Sequence, residues 1–248
     1  MLRSILVLLA ALLLFAAGPA PAITIDFDNF AHGDIVAGPI ASHPGYTLIA
    51  DNRHKIFDAA VAFDTGVTGS LDPDLQLDPS TGWAFGNIPN QDLGSILIIQ
   101  ANDRCDSTRC LAPEDEGRRP APGKFTFLLD VVASSFAFDV IDVENSTREA
   151  GRITFFLLEE GSASNTVASF TFADFETLGQ GVVYGNNSAN HVELGEIGPF
   201  NAFEILMGGS GGIDNIFANG TPVPEPTTAA LLGLGLTAIA LAGRRRPR

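Results

Sequence analysis

The residues most capable of chemistry in this chain are its carboxylates, and the most unusual stretch that carries them is "AFDTGVTGSLDPDLQLD", Ala62 to Asp78. Asp72 and Asp74 flank Pro73, a spacing that projects both side chains to the same side of an extended loop. Asp64, Asp78, Asp103, Asp142 and Asp214 sit near the ends of strand-like runs. Loops that converge on such acids supply the six to eight oxygens a calcium ion takes. The stretch is no EF-hand loop, because Leu77 stands at the sixth position, where glycine is required, and Trp83 at the twelfth, where glutamate is expected. Solvated acidic loops are the other reading of the same residues.

Other chemistries find less support. Gly208 to Gly212, "GGSGG", matches the G-x-S-x-G pattern of a nucleophilic serine. No helical pattern follows it, however, and all four histidines (His32, His43, His54, His191) precede Ser210, so a turn before a final strand fits better. Phosphate-binding loops, H-E-x-x-H and dinucleotide fingerprints are absent. Paired carboxylates for glycoside hydrolysis depend on a separation in space that sequence does not give. The one tryptophan, Trp83, lies in the loop-like "STGWAFGN". There it either presents a flat face to a sugar ring or packs over a sandwich edge. Cys105 and Cys110, in "CDSTRC", suit a small disulfide-closed loop in an oxidising compartment.

The elements that must position these groups read as strands. "ITIDF", "YTLIA", "SILIIQ", "KFTFLLD", "SSFAFDVIDV", "RITFFLLE", "TVASFTF", "FNAFEILM" and "GIDNIFA" are short runs rich in Phe, Val, Ile and Thr, separated by Gly, Asn, Asp and Pro clusters. In "KFTFLLD" the two-residue period directs Phe125, Phe127 and Leu129 one way and Thr126, Leu128 and Asp130 the other. Helical periodicity is missing from the central part. An all-β antiparallel sandwich follows, with the 18 phenylalanines filling its core and a closed barrel as the alternative topology. Jelly-roll modules often hold calcium between first and last strands, an analogy that adds Asp26 or Asp28 and Asp214 to the candidate ligands. The calcium candidates are thus Asp26, Asp72, Asp74, Asp142 and Asp214.

Both ends of the chain differ from this middle. Residues 1–22 carry Arg3, an apolar run from Ile5 to Ala17, and small residues at Ala20 and Ala22, the layout of a secretory signal peptide cleaved after Ala22. Near the other end, Val223-Pro224-Glu225-Pro226 precedes Thr227 to Gly243, 17 residues without a charge. As a helix this segment spans roughly 25 Å at about 1.5 Å per residue, a thin but workable membrane span. Arg244, Arg245, Arg246 and Arg248 follow it and should remain cytoplasmic, leaving the rest of the chain outside, as the signal peptide also demands. Of 14 Lys and Arg, only 9 lie between Ile23 and Pro226, against all 29 Asp and Glu, so this central part carries a charge near −20. Such a surface disfavours nucleic acid and anionic lipid.

The ordered triplet Pro224-Glu225-Pro226, the Ala/Leu/Gly segment and the terminal arginines resemble the PEP-CTERM sorting signal of Gram-negative bacteria that make exopolysaccharide. In that family an exosortase, an integral membrane cysteine peptidase, recognises the tail and acts near the triplet. The two prolines suit the task, since neither can donate to a helix or a sheet and the neck stays extended. The ectodomain resembles a recurrent domain of PEP-CTERM proteins with "FDT…TGGDPDL", "LIIxE" and "GSGAIDNL" segments and a jelly-roll or galactose-binding-like sandwich. Here "GSGGIDNIF" closes the match, while Ser70 and Gln100 depart from the pattern.

The domain plan is a signal peptide (1–22), a β-sandwich ectodomain (23–220) and a sorting tail (221–248). The expected function is non-enzymatic: an inner-membrane-anchored precursor, processed by signal peptidase and exosortase, becomes a structural or adhesive component of the cell surface or extracellular matrix, associated with exopolysaccharide. A calcium-dependent carbohydrate-binding module, with Trp83 as glycan contact, is the alternative, and a glycoside hydrolase the third reading.

Overall fold

The computed structural model describes residues 22–53, 58–77, 83, 85–115, 123–159, 164–185 and 187–220. The signal segment through residue 21 and the whole sorting tail, with its expected membrane helix, lie outside the described residues, as do His54 and Asp78. Among the described residues, no helix is long and apolar enough to cross a membrane.

The described residues form eleven strands: β1 (Ala22–Ile25), β2 (Ile35–Ala37), β3 (Ala41–His43), β4 (Tyr46–Asn52), β5 (Ala60–Asp64), β6 (Ser95–Ile99), β7 (Gly123–Ile141), β8 (Arg152–Leu157), β9 (Asn165–Thr171), β10 (Ala189–Met207) and β11 (Gly212–Asn219). The pairs between them are antiparallel. Two 19-residue strands, β7 and β10, organise the rest. The first half of β7 pairs with β4 on one side and with the second half of β10 on the other, extending to β8 and β9. Its second half pairs with β11 and the first half of β10, extending through β6 and β5 to β2.

The two halves face each other because the long strands bend. Their register slips between Glu196 and Phe200 and again before Ala202, where β10 reads "GEIGPF". Gly195 and Gly198 adopt φ of 61° and 98°, a region that glycine enters without a steric penalty, and Pro199 cannot donate to the ladder. Phe136 on one half then meets Phe155 and Phe203 on the other, with ring centroids 5.0 and 4.9 Å apart. Phe200 and Phe127 complete this aromatic centre. The path of strands starts at β2 and finishes at β9 without those two pairing, so the architecture is the sandwich and not the closed barrel.

Burial follows the sequence pattern strand by strand. β4, "YTLIADN", alternates buried and half-buried positions along its length, as one covered face requires. "AVAF" of β5 and "SILII" of β6 are continuous apolar runs, buried on both faces. Loops fold over the outer side of this half, and a second apolar cluster forms beneath them from Val61, Phe63, Leu75, Trp83, Ile96 and Ile98. Trp83 is 1% exposed there, so its ring has no face open to a sugar; of the two placements open in the sequence, packing is found, and Trp83 as a glycan contact is corrected by this second core. Cys105 and Cys110 are joined in a disulfide that closes the hairpin of one covering loop, and the Cys110 amide donates to Gly33 O.

Removing the aromatic centre should be costly. Phe203→Ala is expected to lower unfolding free energy by about 3–5 kcal/mol in urea titrations. Phe85→Ser, at a 53% exposed ring, should change it by less than about 0.5 kcal/mol.

Candidate functional site

Beside the second core, three separate segments deliver acidic side chains to one place, and a fourth closes over them. The first is the loop after β5. Leu77 N donates to Thr65 O, and Ser70 Oγ both accepts from Asp72 N and donates to Asp72 O, closing a tight turn before a single 3-10 turn at Pro73–Leu75. Proline at the start of that turn has no amide to leave unsatisfied. Asp72 is thereby held fully buried, and its Oδ2 accepts from Asp115 N at 2.9 Å.

Asp115, the second contributor, follows the disulfide loop and is 2% exposed. Its Oδ2 accepts from the amide of Gly211, in the tight connection between β10 and β11. Gly211 has φ of 130°, and a Cβ there would lie 2.6 Å from Ile141 O, so this connection needs glycine. The "GGSGG" stretch is therefore a packed turn.

The third segment leaves β7. Asp142 takes the left-handed conformation, φ 58°, directly after the last residue of the strand, and its amide donates to Ser188 O. The conformation is one that aspartate tolerates better than most residues. It turns the carboxylate inward, where it is 1% exposed, while Glu144 two residues on stays at the surface. Carboxylate oxygens of Asp74, Asp142 and Glu144 come within 4.8 Å of one another. The fourth segment, the β10–β11 turn, brings Ser210 next to Asp142.

Burial raises the acids of this region above the ordinary carboxylate range. Burial, reinforced by the charges of Asp74, Glu144 and Asp72, pushes Asp142 up to about 8 against the favourable Ser210 hydroxyl. Ser210 lies close enough to favour the carboxylate but outside hydrogen-bond geometry, since both Asp142 oxygens lack a partner. Asp115 is raised well above the ordinary carboxylate range by burial and by Asp72 and Asp142. Asp72 rises to about 6, chiefly from burial. Asp72 Oδ1 and Asp115 Oδ1 are buried without partners as well. Ion pairs among the described residues, Lys124 with Asp51 and Glu204 and His191 with Asp139, lie elsewhere. Several carboxylates in low dielectric with no base beside them among the described residues can hold protons or bind a cation.

Of the acids singled out in the sequence, Asp72, Asp74 and Asp142 converge. Asp115 and Glu144 join them unannounced, although "DVE" at 142–144 repeats the two-residue spacing of "DPD" at 72–74. Asp64 instead closes a local turn onto Gly66 N, and Asp26 and Asp103 are exposed.

Asp214 belongs to a different group. It stands opposite Asp139 on the neighbouring strand, 1% exposed, with Oδ1 unpartnered. Asp139 bonds His191 Nδ1 at 2.6 Å and accepts from Asn215 Nδ2 at 2.8 Å. Its carboxylate holds the His191 pKa above the ordinary value. Burial, with Asp139, Asp28 and Asp26 nearby, raises Asp214 to about 8. Strand register, which sequence alone does not give, puts Asp214 across from Asp139, and Asp26 and Asp28 act on it there, as a group of its own beside the one formed by Asp72, Asp74 and Asp142.

A pH dependence follows from Asp214. Its folded-state pKa exceeds the unfolded value of about 4, so folding takes up a proton and stability is lost as pH climbs from about 4 towards about 8. Asp214→Asn should therefore raise the melting temperature over wild type at pH 8 and leave it nearly unchanged at pH 4. Thermal unfolding across that range measures the difference.

Comparison with known proteins adds two findings. Solved structures of mutants of the family 29 carbohydrate-binding module CBM29-2 are similar at 12% identity and a TM-score of 0.24, one covering 71% of this chain and 92% of that one, another 74% and 98%. A further mutant, complexed with mannohexaose, is similar at 12% identity and the same TM-score, over 71% of this chain and 92% of that one. No curated protein matches the chain. Residues 222–246 match the PEP-CTERM protein-sorting motif, so the segment that holds Pro224, Glu225, Pro226, Arg244, Arg245 and Arg246 is a PEP-CTERM sorting motif.

Proposed function

We propose that this is an exported surface protein whose tail exosortase recognises and processes, and whose sandwich is a non-catalytic structural or adhesive component of the extracellular matrix. The observation that carries the reading is the sorting motif at residues 222–246. The Ile23–Pro226 charge near −20 supports a domain that stays soluble outside the membrane and apart from nucleic acid. Ser210 faces Asp142 in a packed glycine turn, which supports a structural over a nucleophilic role. The buried acids Asp72, Asp115 and Asp142 likewise sit too deep to flank a glycosidic bond. Burial of Trp83 removes the stacking face of the carbohydrate-binding alternative; the exposed aromatic rings among the described residues, Phe85 and Phe217, have no polar edge.

Replacement of Pro224, Glu225 and Pro226 by alanine tests the proposal. The variant should accumulate at precursor mass in the inner membrane, while the wild-type chain leaves it with a shortened C-terminus by mass spectrometry. Identical fractionation and identical mass would overturn the sorting role.

A further inference from the structure

We infer that Asp74, Asp142 and Glu144 coordinate a single divalent cation, calcium, with Asp72 and Asp115 supplying negative charge behind it. The inference is independent of the sorting motif and rests on two separate observations. One is span: carboxylate oxygens of the three ligands all fall within 4.8 Å of one another, and oxygens on opposite sides of a calcium ion, each about 2.3–2.6 Å from it, are about that far apart.

The second observation is the unsatisfied state of the buried acids. Asp142, 1% exposed, has neither oxygen hydrogen-bonded, and one oxygen each of Asp72 and Asp115 is buried and unpaired. Native proteins rarely leave such atoms unmatched, and each costs free energy until it meets a donor or a cation. The remaining oxygens of Asp72 and Asp115 are already committed to the amides of Asp115 and Gly211, so these two residues brace the site while the first three face the ion.

Oxygen-only ligands select a hard cation. Between calcium and magnesium, the arrangement favours calcium. Its ligands come from two loops of different length, with one buried, one half-buried and one exposed carboxylate, a set suited to the irregular shell of calcium and not to the near-ideal octahedron of magnesium. Water from the exposed side of Glu144 completes the shell. A bound ion would tie the 72–74 turn to the 142–144 turn and, through Asp115 and Gly211, both of these to the β10–β11 connection.

The test uses the full-length chain, purified in mild detergent, stripped with EDTA and titrated with calcium chloride or magnesium chloride by calorimetry and thermal unfolding. Calcium should bind once per chain and raise the melting temperature by several degrees, with magnesium at least tenfold weaker. Asp142→Asn and Asp74→Asn should each weaken calcium binding at least tenfold, with the melting temperature in EDTA held or raised, because neutralising one acid relieves its neighbours. Asp74 is half-buried, so its variant keeps the question open to test if Asp142→Asn fails to fold. Absence of calcium binding by the wild-type chain, equal response to both metals, or wild-type affinity in folded Asp74→Asn would each overturn the inference.

Discussion

Carboxylates withdrawn from water with no base beside them among the described residues must be neutralised some other way, and this requirement governs the outer side of the sandwich. Asp72, Asp115 and Asp142 are each at most 2% exposed and retain unpaired oxygens. Protonation satisfies the charge but leaves the negative shape of the pocket unused; a cation satisfies both. The protein does not avoid the problem by chance. It builds a proline-started turn, a left-handed aspartate and a glycine connection around the same point, each a backbone conformation chosen by residue type.

The rest of the fold supplies the frame. β7 and β10 run through both halves, and their bend closes an aromatic centre on the inner side. On the outer side they end or turn at the acid cluster: Asp142 follows the last residue of β7, and the Gly211 connection follows β10. Core packing and acid placement are therefore properties of the same two strands. The covering loops are stitched down by hydrogen bonds such as Leu77 N to Thr65 O and by the Cys105–Cys110 hairpin on Gly33.

Much of this frame is legible in the sequence, and the failures have physical causes. Alternation in "KFTFLLD" places Phe125, Phe127 and Leu129 inward, as found. The same alternation cannot show that this run and "SSFAFDVIDV" are one long strand, because a two-residue period carries no mark of where one strand ends and the next begins. Nor does a local pattern reveal that loops cover β5 and β6, although their unbroken apolar runs are its trace; Trp83 is consequently inside. Spacing found Asp72 and Asp74, which flank Pro73 and project together, and position near a strand end found Asp142. Asp115 escaped because it stands in a loop whose approach to Asp72 depends on tertiary packing alone.

The most direct measurement of the central idea is a crystal structure of the calcium-soaked protein with anomalous scattering data. One anomalous peak bounded by oxygens of Asp74, Asp142 and Glu144 at about 2.3–2.6 Å is the result expected. Density at that point explained by water alone, with the carboxylates paired to each other through short hydrogen bonds, would show that protons and not calcium neutralise the cluster.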